Sequence, residues 1–157
     1  MSVYVTISND YLRNVAIANA LRTAFSGESV MAHETVQGLL EQLTNQQQFN
    51  PRPEFRVGCI ITDSELFIDE KAHRADKPNA ACEFLADTLR SRQFAYDGLL
   101  IHYGTRDIMS GSRSMFNASL LHTSSNHGDL ITRIKRVQED PSYYHTLASG
   151  INLTFGK

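Results

Sequence analysis

Apolar and polar positions alternate along this chain in blocks whose period switches repeatedly. Val3, Val5, Thr6 and Ile7 form a short β-branched run that ends in the turn and cap residues Ser8-Asn9-Asp10, which predicts a first strand over 2–8. Leu12, Val15, Ala16, Leu21 and Phe25 then fall near a 3.6-residue period, stopped by Gly27, and predict a helix. Val30 and Met31 suggest a short second strand. Val36, Leu39, Leu40 and Leu43 follow at i, i+3, i+4, i+7 and predict an amphipathic helix that gives way to a glutamine- and proline-bearing loop over Asn45 to Pro53.

Val57 to Thr62 is a continuous apolar run, the pattern of a strand buried on both faces of a parallel sheet, and it ends at Asp63. The stretch Ser64 to Pro78 is charged and aperiodic, and reads as a mixed-charge loop. Asn79 is placed to cap a third helix carrying Ala81, Phe84, Leu85 and Leu89. Gly98 to Tyr103 predicts a fourth strand. Between Gly104 and Asn117 the pattern predicts an irregular fourth helix anchored by Met115 and Phe116. Ser119 to His122 predicts a fifth strand. Leu130, Ile131, Ile134 and Val137, led by Asn126 and Asp129 and ended by Pro141, predict the last helix. Beyond it, Ile151, Leu153 and Phe155 alternate with polar residues. That period suits an added C-terminal edge strand, with a frayed tail as the alternative.

Five successive β-then-α units predict an α/β fold: a doubly wound five-stranded parallel sheet with helices on both faces. The expected organisation is one α/β domain over 1–140 and a C-terminal extension over 141–157. In such sheets ligands gather at the carboxyl ends of the strands. The polar groups there are Ser8-Asn9-Asp10, Asp63, His102-Tyr103-Gly104-Thr105 and His122-Thr123-Ser124.

Composition narrows the function classes. A chain of 157 residues with 41% hydrophobic content can bury one core, and a net charge of −2 does not suggest a nucleic-acid footprint. The cluster Arg133, Lys135, Arg136 reads as a solvated helix face. Cys59 and Cys82 have neither metal-ligand nor disulfide-framework spacing, and Cys59 falls inside an apolar run as a small core residue. The six histidines show no H-x-H or H-E-x-x-H pattern, so no metal centre is expected from them. No apolar stretch approaches the roughly 20 residues of a membrane span, and no leader-like segment opens the chain; the expectation is a cytoplasmic protein without membrane contact. Phosphate-binding G-x-G-x-x-G and hydrolase G-x-S-x-G motifs are absent.

A carboxylate directly after a buried strand can accept a phosphoryl group if a metal ion and cationic or hydroxyl side chains stabilise the transferred oxygens. On the order of elements and these strand-end positions, residues 2–138 resemble the receiver domain of two-component response regulators, a flavodoxin-like fold. The resemblance implies Asp63, in Ile60-Ile61-Thr62-Asp63, as phosphoacceptor. It puts the family's acidic pair at Ser8 and Asn9, or at Asn9 and Asp10, and implies Asn9, Asp10 and Asp63 as ligands of a weakly bound Mg²⁺. It puts the switch hydroxyl at Tyr103 or Thr105. The family's lysine falls on Thr123 or Ser124, and no lysine lies between Pro78 and Lys135. His102 and Tyr103 read as switch or surface residues.

Only Asp63 keeps the family motif, so the expectation is an atypical receiver, or pseudo-receiver. It would signal through protein contacts, with phosphorylation at Asp63 absent or inefficient and without enzymatic activity of its own. The alternatives are a conventional stand-alone response regulator phosphorylated on Asp63 and, further off, a small α/β enzyme unrelated to signalling. The implied partners are a histidine kinase, a downstream effector or a second copy of the chain.

Overall fold

The computed structural model describes residues 3–49, 56–64, 66–67, 80–106, 110–122 and 127–139. Five parallel strands, β1 (Val3–Ile7), β2 (Ser29–His33), β3 (Val57–Thr62), β4 (Leu99–Gly104) and β5 (Ala118–Leu121), form a sheet of order β2-β1-β3-β4-β5. Four α-helices connect or follow them: α1 (Tyr11–Ala24), α2 (Val36–Phe49), α3 (Ala80–Arg90) and α4 (Gly128–Glu139). A 3-10 helix, Ser110–Met115, stands before β5. The doubly wound parallel sheet expected from the sequence is the observed architecture.

The two faces of the sheet carry separate cores, because successive strand side chains point to opposite sides. Val3, Val5 and Ile7 of β1, with Val57, Ile60 and Leu100, pack under α2 (Val36, Leu39, Leu43) and α3 (Ala81, Cys82, Leu85, Leu89). Tyr4, Cys59, Ile61, Ile101 and Tyr103 pack under α1 (Ile17, Leu21) and α4 (Leu130, Ile134, Val137). Val57 and Ile60 share a face although three residues apart. The register slips at that point: Val3 pairs with Val57 and Tyr4 with Cys59, so Gly58 is the extra residue of a bulge in β3. The slip sets the register in which Ile7 meets Thr62 and the N–H of Asp63 donates to the Ile7 carbonyl at 3.0 Å.

Several expectations are corrected. Helix α1 buries Asn14, Ile17, Ala18 and Leu21, whereas Leu12 is 80% exposed and Ala16 faces solvent. The apolar count misled because Asn14 takes a core position. Its Oδ1 accepts from Thr6 Oγ1 at 2.9 Å and its Nδ2 donates to the His33 carbonyl at 2.9 Å, so its amide is satisfied inside. Helix α2 continues through Asn45 to Phe49 instead of yielding to a loop there; glutamine is a good helix former, and the prolines come only after Phe49. Phe84 lies on α3 but is half exposed. His102 and Tyr103 are buried in β4, not on the surface. The irregular helix before β5 is found as the 3-10 turn, with Phe116 buried behind it. Asn79, Asn126, Pro141, nearly all of 64–78 and the whole of 141–157 lie outside the described residues, as does the expected edge strand.

Both cysteines are buried and free. Burial pushes both thiols up, that of Cys82 to about 12 despite its contact with the Thr62 hydroxyl. Among the described residues no helix is long and apolar enough to cross a membrane.

Candidate functional site

The carboxyl ends of β1 and β3 lie side by side, so Ser8 and Asp63 meet although 55 residues separate them. Asp63 is 2% exposed. Its Oδ2 accepts from the Ser8 hydroxyl at 2.6 Å and from Nη1 of Arg13 at 2.5 Å, and its Oδ1 accepts from the Ser64 N–H at 2.6 Å. Arg13 stands in the first turn of α1, a position the helix macrodipole disfavours for a cation. Its ion pair with a buried carboxylate explains why it is there, and the guanidinium also reaches Asp10 at 3.7 Å.

Asp10 is the N-cap of α1. Its Oδ1 accepts from the Arg13 N–H at 3.0 Å, while its own N–H donates to Ser8 Oγ. Asn9 lies in the half-buried turn between Ser8 and Asp10. Arg13 thus stands between Asp10 and Asp63, the two carboxylates the resemblance assigns to a metal. A Mg²⁺ ion wants clustered oxygen ligands and several waters. Among the described residues no group of three or more His, Cys, Asp or Glu side chains is arranged to hold a metal, and the carboxylate oxygen of Asp63 is already bonded to a cation and a hydroxyl. As arranged, these residues do not fit Mg²⁺.

A second cluster ties β3 to β4. Ser64 Oγ lies 3.2 Å from His102 Nε2, donates to the Arg106 carbonyl at 2.9 Å and accepts from the Arg106 N–H at 3.1 Å. The other ring nitrogen of His102 meets Ser119 Oγ of β5 at 3.0 Å. Gly104 permits this clamp: a Cβ there would stand 1.9 Å from Ser64 Oγ and 2.5 Å from its backbone nitrogen. Thr105, one of the two hydroxyl candidates, follows with its side chain exposed.

Tyr103, the other, is buried on the α1/α4 side, and its hydroxyl shares a 2.8 Å hydrogen bond with Nδ1 of His127, just before α4. Burial raises the Tyr103 phenol and lowers the His127 imidazole, the latter helped by His122 and Arg13. Thr123 and Ser124 lie outside the described residues; His122 and His127 bracket them.

Of the predicted site residues, then, Asp63 sits at the expected strand end, Asp10 serves as a helix cap, and Tyr103 turns into the core. Arg13, Ser8 and Ser64, the residues that hold Asp63, were not singled out by pattern as its partners. Arg13 had one legible signal, a cation in the first turn of a helix, with its only nearby acid at the N-cap, Asp10. A cleft of about 620 Å³ between α2 and α3, lined by residues including Leu40, Phe84 and Phe94, includes none of these residues.

No protein-family model matches the sequence, and neither does any curated protein. Solved structures do match. A CheY-like response regulator receiver domain from Methylobacillus flagellatus is similar at a TM-score of 0.62 and 10% identity, covering 87% of this chain and 98% of that one. The receiver domain of the histidine kinase CKI1 from Arabidopsis thaliana, complexed with Mg²⁺ and BeF₃⁻, matches at 0.62 and 11%, covering 88% and 91%. The signal receiver domain of a DNA-binding response regulator from Colwellia psychrerythraea matches at 0.62 and 10%, covering 89% and 100%. With its sheet order, its two helical layers and these likenesses, the chain has the fold of response regulator receiver domains.

Proposed function

We propose that this chain is a pseudo-receiver: a signalling module that works through protein contacts, with phosphorylation at Asp63 absent or inefficient. The observation that carries this reading is the Arg13 guanidinium, 2.5 Å from Oδ2 of Asp63. Phosphoryl transfer to a carboxylate needs an accessible oxygen and a metal ion to neutralise the developing charge. Here the oxygen is 2% exposed at the residue level and its charge is already matched by Arg13. In the register that puts the family's acidic pair at Ser8 and Asn9, Ser8 adds a hydroxyl donor where the acid would add a metal ligand. Any Mg²⁺ affinity is accordingly weak, and the chain is assigned no catalytic turnover. Its partners in this reading are proteins: a histidine kinase, a downstream effector or a second copy of itself.

The test is intact mass after incubation with acetyl phosphate and Mg²⁺. The expected spectrum shows the unmodified chain. A stoichiometric phosphate adduct that vanishes in Asp63→Asn would overturn the reading in favour of a conventional phosphorylated response regulator.

A further inference from the structure

We propose that His122 and His127 together hold one divalent transition-metal ion of the zinc class at the end of β5. Their ring centroids are 5.1 Å apart and their planes are tilted by 47°. Two imidazoles that bind one tetrahedral ion at about 2.0–2.1 Å place their ring centres about 5 Å apart. The spacing of the rings therefore suits a shared ion.

The nitrogens are accounted for in the same sense. Nε2 of His122 is buried and, among the described residues, has no hydrogen-bond partner. A buried polar atom left without a partner calls for an explanation, and an ion is one that satisfies it. His127 uses Nδ1 for its bond with the Tyr103 hydroxyl, which leaves Nε2 as its remaining ring nitrogen. A metal-bound histidine characteristically donates its other N–H to a fixed oxygen, which sets the tautomer and the ring orientation. The Tyr103 oxygen, held in the core of β4, occupies that place. The Tyr103 ring also packs edge-on against both imidazoles, with centroids 5.2 Å and 5.6 Å away, so the three rings form one unit.

Chemistry selects the ion. Two neutral imidazoles favour zinc, copper or nickel over the hard cations Mg²⁺ and Ca²⁺. The neutral form is the one that ligates. Two protein ligands are one fewer than open zinc sites supply, so the remaining positions of the ion fall to water. The inference rests on the two imidazoles and not on the reading of Asp63.

The test is a zinc titration of the untagged full chain by calorimetry, with ¹⁵N chemical shifts of the histidine rings followed in parallel. The expected result is one ion per chain and zinc-dependent shifts at His122 and His127. His122→Gln and His127→Asn should each weaken binding at least about tenfold, and Tyr103→Phe, which keeps both imidazoles, by about 10- to 100-fold. Asp63→Asn should bind as the parent does. No binding at micromolar free zinc, unchanged affinity in both histidine variants, or shifts confined to other histidines would each overturn the proposal. If a histidine variant fails to fold, as judged by circular dichroism, the ring shifts of the parent chain decide alone. The titration contains no phosphodonor, so this proposal and the pseudo-receiver reading can fail separately.

Discussion

The two halves of the sheet's carboxyl edge are built from opposite kinds of polar chemistry. At the ends of β1 and β3, a charged group is buried and saturated: Asp63 takes hydrogen bonds from Ser8, Arg13 and Ser64. At the ends of β4 and β5 the groups are a phenol and two imidazoles, and one is left open: Tyr103 and His127 satisfy each other, while a ring nitrogen of His122 has no partner among the described residues. A carboxylate that stays ionised when buried needs a cation or hydrogen bonds to offset its desolvation. An imidazole is uncharged without its extra proton and then keeps only a hydrogen-bonding requirement. In the first half the polar atoms are therefore engaged with one another, and in the second a ring nitrogen of His122 is not.

The sharpest way to break this contrast is to remove the cation from the charged half. Arg13→Met leaves the Asp63 carboxylate buried without its counter-ion and should lower stability by about 3 kcal/mol, read as a shift in the urea midpoint. Adding Asp63→Asn to that variant removes the stranded charge and should recover part of the loss. If Arg13→Met alone is neutral, the ion pair is not what holds Asp63.

A second variant tests the junction between the halves. Gly104→Ala pushes a methyl group into Ser64, whose backbone nitrogen cannot move aside cheaply, and should cost about 2 kcal/mol in the same measurement. A neutral result would mean that the Ser64–Arg106 clamp is loose in solution.

The smallest effect belongs to the neutral half. Tyr103→Phe removes a single uncharged hydrogen bond and leaves His127 Nδ1 unpaired, for an expected loss of about 1 kcal/mol. A loss as large as that of Arg13→Met would erase the distinction between the two halves.

Local pattern made most of the fold legible. Every strand was visible as a short apolar run, and the boundaries moved by a residue or two, as with β5 at Ala118–Leu121. The α1 face was misread because the core there accepts Asn14 and leaves Leu12 outside, and apolar counting cannot foresee a satisfied amide in the interior. The site was legible only in its anchor. Asp63 follows a continuous apolar strand, and parallel strands bring their carboxyl ends to one edge. Its partners were not legible, since Arg13 lies 50 positions away and on a helix whose rotation depended on Asn14. The histidine pair was hidden too, because a spacing of five residues matches no helical or strand period.

The sequence by itself determined the alternation of strands and helices, the parallel sheet that alternation requires, and the place of Asp63 at the end of β3. These follow from burial periodicity, which is a property of neighbouring residues. Only the tertiary structure decided what Asp63 touches and which histidines meet, because those contacts depend on the register of the β3 bulge, the rotation of α1 and the packing of α4. Each of these is set by packing between segments distant in the chain.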